Sequence, residues 1–248
     1  MTLIFIFTLM LGAAAGSFLH CIVVREAANE KWTTGRSECD HCKKPLAWTS
    51  NVPILGYLLS KGRTSCCNKP LTPWHFIIEI LGSALFVLVL WQWTLHGDLL
   101  LLLQGIVISI FAIYTLASDG RFMHVSVPMS LVSGLLLLSL ATVSGTLLPA
   151  LGAGLVGVLF FGIQYALTRG RGIGSGDLIL GGIIGIALGF PGVVIGILAG
   201  YVIGATHALF LIATNRATGK TRVPLGAYLM LGMLFAFFFE DNFLSILF

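Results

Sequence analysis

Charge is what this chain has least of. Only 10% of its 248 residues are Asp, Glu, Lys or Arg, while 57% are hydrophobic and the mean hydropathy is +0.98. That balance excludes a soluble domain of ordinary composition, and the length leaves room for several membrane spans of about 20 residues each. A positive segment ahead of the first apolar run is also missing. Residues 1–24 carry no Asp, Glu, Lys or Arg, and Ala13-Ala14-Ala15-Gly16 imitates a signal-peptidase site. A cleavable signal would place basic residues in front of the run, so a retained first span is expected. Its positives begin only afterwards, at Arg25, which predicts an outside N-terminus and a cytoplasmic C-terminal end.

Lys and Arg fall in four groups: eight from Arg25 to Lys69, Arg121 alone, Arg169 with Arg171, and Arg216, Lys220 and Arg222. They occupy loops between apolar runs, a distribution that excludes nucleic-acid binding as their purpose. After the first span, 25–74 is the one sizeable polar stretch, a loop domain too small for a large core of its own. From His75 onward, spans are predicted near 75–95, 99–117, 127–146, 148–168, 177–197, 199–214 and 223–239. The fold class is therefore an all-α membrane protein of about eight transmembrane helices, with a small cysteine-containing loop domain between the first two. Three parts follow: 1–24 as first span, 25–74 as loop domain, 75–248 as membrane core. With eight spans, the connections after spans two, four and six contain no Lys or Arg and the others contain all fourteen. This positive-inside pattern puts Asp119, Asp177 and the cysteine loop on one cytoplasmic face.

Asp119 closes the third predicted span, and Asp177 follows Gly174-Ser175-Gly176 at the start of a later one. A carboxylate at the membrane is costly, so it is a functional candidate by default. In the plain reading both are loop or cap residues, Asp177 N-capping its helix. In the functional reading they meet. Two carboxylates a few Å apart share a proton and can exchange acid and base roles around one water. Glu79, inside the second span, is expected to be structural, pairing with a loop arginine. His20, His124 and His207 lie near span ends and receive no role.

Four of five cysteines, Cys39, Cys42, Cys66 and Cys67, sit in the basic loop. In a reducing compartment this favours a metal over disulfides, with zinc the natural ion for two thiolate pairs. The second pair is adjacent rather than C-x-x-C, so His41 or His75 is an alternative fourth ligand. Cys21, in the first span, packs.

These strings together resemble the type IV prepilin peptidases, in order and over nearly the whole length. Gly16-Ser17-Phe18-Leu19 with Arg25 is similar to the family's first-span signature, with His20 where Asn is usual. Cys39-x-x-Cys42, Trp48-x-x-Asn51-x-Pro53 and Gly62-Arg63 resemble its cysteine loop. Glu79 matches its next acid, and Asp119 and Gly174-Ser175-Gly176-Asp177 match its two catalytic aspartate sites. Val223-Pro224-Leu225-Gly226-Ala227-Tyr228-Leu229 is similar to its closing element. Three positions depart: Thr64 stands where the third cysteine falls, so that Cys66 is a shifted replacement or no ligand; Gly56 replaces a usual Ser; Pro128 lies farther from Asp119 than is usual. The resemblance implies a bacterial inner-membrane aspartic endopeptidase, Asp119 and Asp177 catalytic, acting on prepilin or pseudopilin substrates after a Gly at the cytoplasmic face. It also implies methylation of the new N-terminus with S-adenosylmethionine; zinc on Cys39, Cys42, Cys66 and Cys67 is the expectation from the thiols themselves. The competing classes are a proton-coupled transporter, which would place its acids near the bilayer midplane, and a non-catalytic pilus or secretion assembly component.

Overall fold

The computed structural model describes residues 2–33, 37–39, 41–46, 48–218 and 221–247, with backbone alone at Trp48 and at 241–247; Arg36, Asp40 and Lys220 lie outside the described residues. The chain is an all-α membrane protein and divides into two compact units, Met1–Leu95 and His96–Phe248.

The first unit pairs α1 (Thr2–Ala27) with α3 (Pro73–His96). Small residues let the two backbones touch, as membrane helices require in the absence of a hydrophobic drive between them. A Cβ on Gly12 would overlap the Gly82 carbonyl, and one on Gly16 would lie 2.7 Å from the Ile78 oxygen. Ser83 Oγ donates to the Leu9 carbonyl at 3.2 Å across the same seam. The fully buried His20 ring meets the His75 ring edge-on, centroids 3.9 Å apart. Between these helices the chain makes a 3₁₀ turn at Trp48–Asn51 and a short helix, α2 (Leu55–Leu59). A γ-turn at Ile54 leads into α2: its φ is 63° and ψ −55°, and Leu55 N–H donates to Pro53 O at 2.6 Å. That conformation is strained for a β-branched residue. Glu79 holds it, its Oε2 accepting from Ile54 N–H at 2.7 Å. Among the described residues the partner of this buried acid is loop backbone; Arg36, one of the loop arginines that could pair with it, lies outside the described residues.

The second unit contains α4 (Leu99–Phe122), α5 (Val127–Val143), α6 (Leu147–Thr168), α7 (Ser175–Leu188), α8 (Gly192–Ala213) and α9 (Leu225–Leu247). The third predicted span runs five residues beyond 117, because Met123 adopts the left-handed conformation and its N–H closes on Asp119 O at 2.9 Å. The predicted spans 177–197 and 199–214 are corrected. Gly189, with φ 70°, ends α7 at Leu188, and α8 begins after Pro191.

α7 is the hub, touching α5, α6, α8 and α9. Its 14 residues rise only about 21 Å, short of a roughly 30 Å hydrocarbon core. Most of its length is covered by neighbours, with Leu180, Gly181, Gly182, Ile183, Ile184, Gly185 and Ala187 all buried. Added methyl groups at Gly157 or Gly181 would strike the opposite backbone or Phe161, which is why α6 and α7 pack so closely. α8 and α9 do the same through Gly196 and Gly232.

Candidate active site and thiol cluster

Asp119 lies within the last turn of α4 and Asp177 in the first turn of α7, both buried, at 6% and 9% exposure. The segment after α4 brings these helix ends together, since Val125 packs so closely on Gly176 that a Cβ there would meet it at 2.9 Å. The charge of Asp119 reaches Asp177.

Each carboxylate is seated by main-chain donors. Asp119 Oδ2 accepts from Ala227 N–H at 2.8 Å. The donor belongs to the first turn of α9, whose N–H groups have no partner within the helix and whose dipole favours an anion. Gly226 makes the approach possible: a Cβ at that position would lie 2.9 Å from Asp119 Oδ2. Asp177 Oδ2 accepts from Gly174 N–H at 2.9 Å. It therefore caps α7 from the third helical position, a reach-back contact, rather than as the N-cap residue, which is Gly174.

Each carboxylate acts on one tyrosine. The charge of Asp177 reaches Tyr201, whose hydroxyl donates to Gln164 Oε1 at 3.1 Å. The charge of Asp119 reaches Tyr228, whose hydroxyl pairs with His207 Nδ1. His124 acts electrostatically on Asp119 as well. Gly226, Ala227, Tyr201 and Tyr228 do not stand out in the sequence as site residues. The one available signal was the closing Val223–Leu229 string, whose Pro224 just ahead of the helix is a start mark.

In the other unit the four loop thiols converge. The sulfurs of Cys39, Cys42, Cys66 and Cys67 all lie within 4.8 Å of one another. Cys39 Sγ stands 3.7 Å from Cys67 Sγ, and Cys42 Sγ 3.3 Å from Cys66 Sγ. Tetrahedral zinc with bonds of about 2.3 Å puts its sulfurs about 3.8 Å apart, so the donor set fits that ion. The main-chain N–H groups of Cys42 and then His41 aim at the Cys39 sulfur and draw its thiol down to about 6. Cys66, hydrogen-bonded first to Cys42 and then to Cys39, is pushed up to about 12. Neither alternative histidine joins the cluster: His41 Nε2 lies 3.4 Å from Pro70 O, and His75 packs on His20.

Two family models match the chain in succession, the bacterial peptidase A24 N-terminal domain over residues 10–93 and the type IV leader peptidase family over residues 106–209. The chain thus carries a type IV leader peptidase family domain preceded by a bacterial peptidase A24 N-terminal domain. Curated relatives agree with the family. A prepilin leader peptidase/N-methyltransferase of Legionella pneumophila is 28% identical over 218 residues, 85% of this chain and 74% of its own. One from Bacillus subtilis is 26% identical over 249 residues, 99% and 96% of the two chains. One from Klebsiella pneumoniae is 34% identical over 125 residues, 46% of this chain and 55% of its own. No solved structure matches the chain. The first family model takes in the thiol cluster, and the second contains both aspartates but stops short of the α9 turn that seats Asp119.

Proposed function

We propose that the chain removes the leader of type IV prepilins or pseudopilins, cutting after a Gly at the cytoplasmic face, with Asp119 and Asp177 as the catalytic pair. The observation that carries this reading is the seating of two buried carboxylates from different helices, each fixed through Oδ2 by a main-chain N–H and close enough to sense one another. Such a pair holds one water against a scissile carbonyl. The ionised aspartate takes a proton from the water as its oxygen attacks the carbonyl carbon, while the protonated partner gives its proton to the carbonyl oxygen. The diol then collapses. The C–N bond breaks, the leaving amine takes the first aspartate's proton, and the partner regains a proton from a diol hydroxyl. Atoms and protons balance, and the pair returns with one proton between its members. Inactivation by Asp177→Asn, measured as prepilin processing in membranes, tests the assignment; loss of about 10²–10⁴-fold is expected, and normal processing would refute it.

Methylation of the new N-terminus follows from the family relationship. The described residues single out no seat for S-adenosylmethionine. In the thiol cluster, Cys39, Cys42, Cys66 and Cys67 would hold zinc. When bound, the ion supplies a crosslink for a loop domain too small to have a large core. The alternation of basic and uncharged connections supports an inner-membrane orientation with Asp119, Asp177 and this domain facing the cytoplasm.

A further inference from the structure

The thiol loop is built from two copies of one turn, offset by 25 residues. In the first, Cys39 N–H donates to Lys44 O at 2.9 Å and Lys43 N–H to Cys39 O at 2.9 Å. In the second, Thr64 N–H donates to Lys69 O at 2.8 Å and Asn68 N–H to Thr64 O at 2.8 Å. Lys43 and Asn68 both take the left-handed conformation, with φ of 56° and 55°. An isolated bridge closes each turn, Glu38 to Pro45 and Arg63 to Pro70. Thr64 is therefore the counterpart of Cys39, and Cys67 the counterpart of Cys42. Cys66 corresponds to His41, whose ring lies beside Pro70 O and not in the cluster.

A hydroxyl thus occupies the place where the repeat calls for a thiolate. Thr64 is nonetheless buried, at 4% exposure. Its Oγ1 accepts from Lys69 N–H at 3.0 Å, donates to Lys69 O at 3.2 Å and stands 3.1 Å from Cys67 Sγ. Opposite, the Cys66 sulfur has come within 3.3 Å of Cys42.

We propose that the second turn works in a shifted register: Cys66 supplies the metal-binding sulfur that the repeat would take from residue 64, and Thr64 holds Cys67 in place through a hydrogen bond to its sulfur. This rests on the zinc reading given above. A metal-bound Cys67 is a thiolate with no proton to give, so the Thr64 hydroxyl turns its single proton from Lys69 O to the sulfur, while Lys69 N–H fixes the hydroxyl oxygen from behind. Partners of this kind orient ligands and typically account for 10–100-fold in metal affinity. Thr64 is in this sense a positioning residue.

The test uses the full chain in detergent, with bound zinc measured by elemental analysis and chelator competition, and cobalt(II) as a spectroscopic count of thiolates. Wild type is expected to bind one metal with a four-thiolate cobalt spectrum. Cys66→Ser, at an exposed position, should drop to a three-thiolate spectrum and bind at least about 10-fold more weakly. Thr64→Cys combined with Cys66→Ser should restore four thiolates, by returning the second turn to the register of the first. Thr64→Val should keep four thiolates and lose about 10-fold in affinity. An unchanged spectrum in Cys66→Ser, or no recovery in the double variant, overturns the shifted register. Unchanged affinity in Thr64→Val overturns the positioning role. Prepilin cleavage measured on the same samples separates the two accounts: wild type that cleaves yet binds no zinc overturns this inference alone, and wild type that binds zinc yet does not cleave overturns only the peptidase reading.

Discussion

Gly226 is the residue on which the seat of Asp119 depends most directly. A methyl group there would sit 2.9 Å from Asp119 Oδ2, and displacing a catalytic group by about 1 Å can cost on the order of 10²-fold in rate. Gly226→Ala should therefore reduce prepilin cleavage by at least about 10-fold with little change in thermal unfolding, measured on one purified sample. A large fall in unfolding temperature together with the fall in rate would point instead to general damage to α9. The aspartates themselves stand out in the sequence, because a carboxylate at the edge of an apolar run is conspicuous. Their seats do not. Ala227 contributes a main-chain N–H, which carries no side-chain signature, and it lies 108 residues from Asp119. The Glu79 partner is hidden for the same reason: residue type reveals the acid but not that Ile54 backbone will meet it.

At the level of elements, the strained Ile54 turn and Glu79 form one device. Removing the carboxylate leaves a main-chain donor without its acceptor, a loss of about 1.5–3 kcal/mol for a bond to a charged group. Glu79→Ala should make the loop between α1 and α3 more susceptible to limited proteolysis, while the helices of the second unit remain as resistant as before. Between α6 and α7 the contact is set by glycine. Gly157→Val would drive a side chain into the Gly181 carbonyl and should lower stability by about 1–3 kcal/mol, the usual range for overpacking, read from thermal unfolding in detergent. Helix existence was legible from the apolar runs, since each predicted span has a helix in the structure. Ends were less so. The short α7 depends on Gly189 turning at positive φ, and a glycine among many glycines gives little notice of that. The repeated turn in the thiol loop escapes a search for C-x-x-C pairs because Thr64 replaces the sulfur that would have marked it.

For the whole molecule, the distribution of Lys and Arg makes a prediction about sidedness. An epitope inserted at Gly145, in a connection without basic residues, should be cut by protease added to intact spheroplasts. One at Gly170, between Arg169 and Arg171, should be cut only after lysis. The reverse result would place the aspartates on the outer face and remove the basis for cytoplasmic cleavage. The most direct measurement of the central claim is a mass analysis of one reaction. Purified protein is incubated with a prepilin and S-adenosylmethionine, and leader loss and added methyl mass are read separately for wild type, Asp119→Asn and Asp177→Asn. The account predicts leader loss with wild type and virtually none with either variant, and methyl mass only where the leader has gone. Leader loss at the wild-type rate in either variant would contradict it.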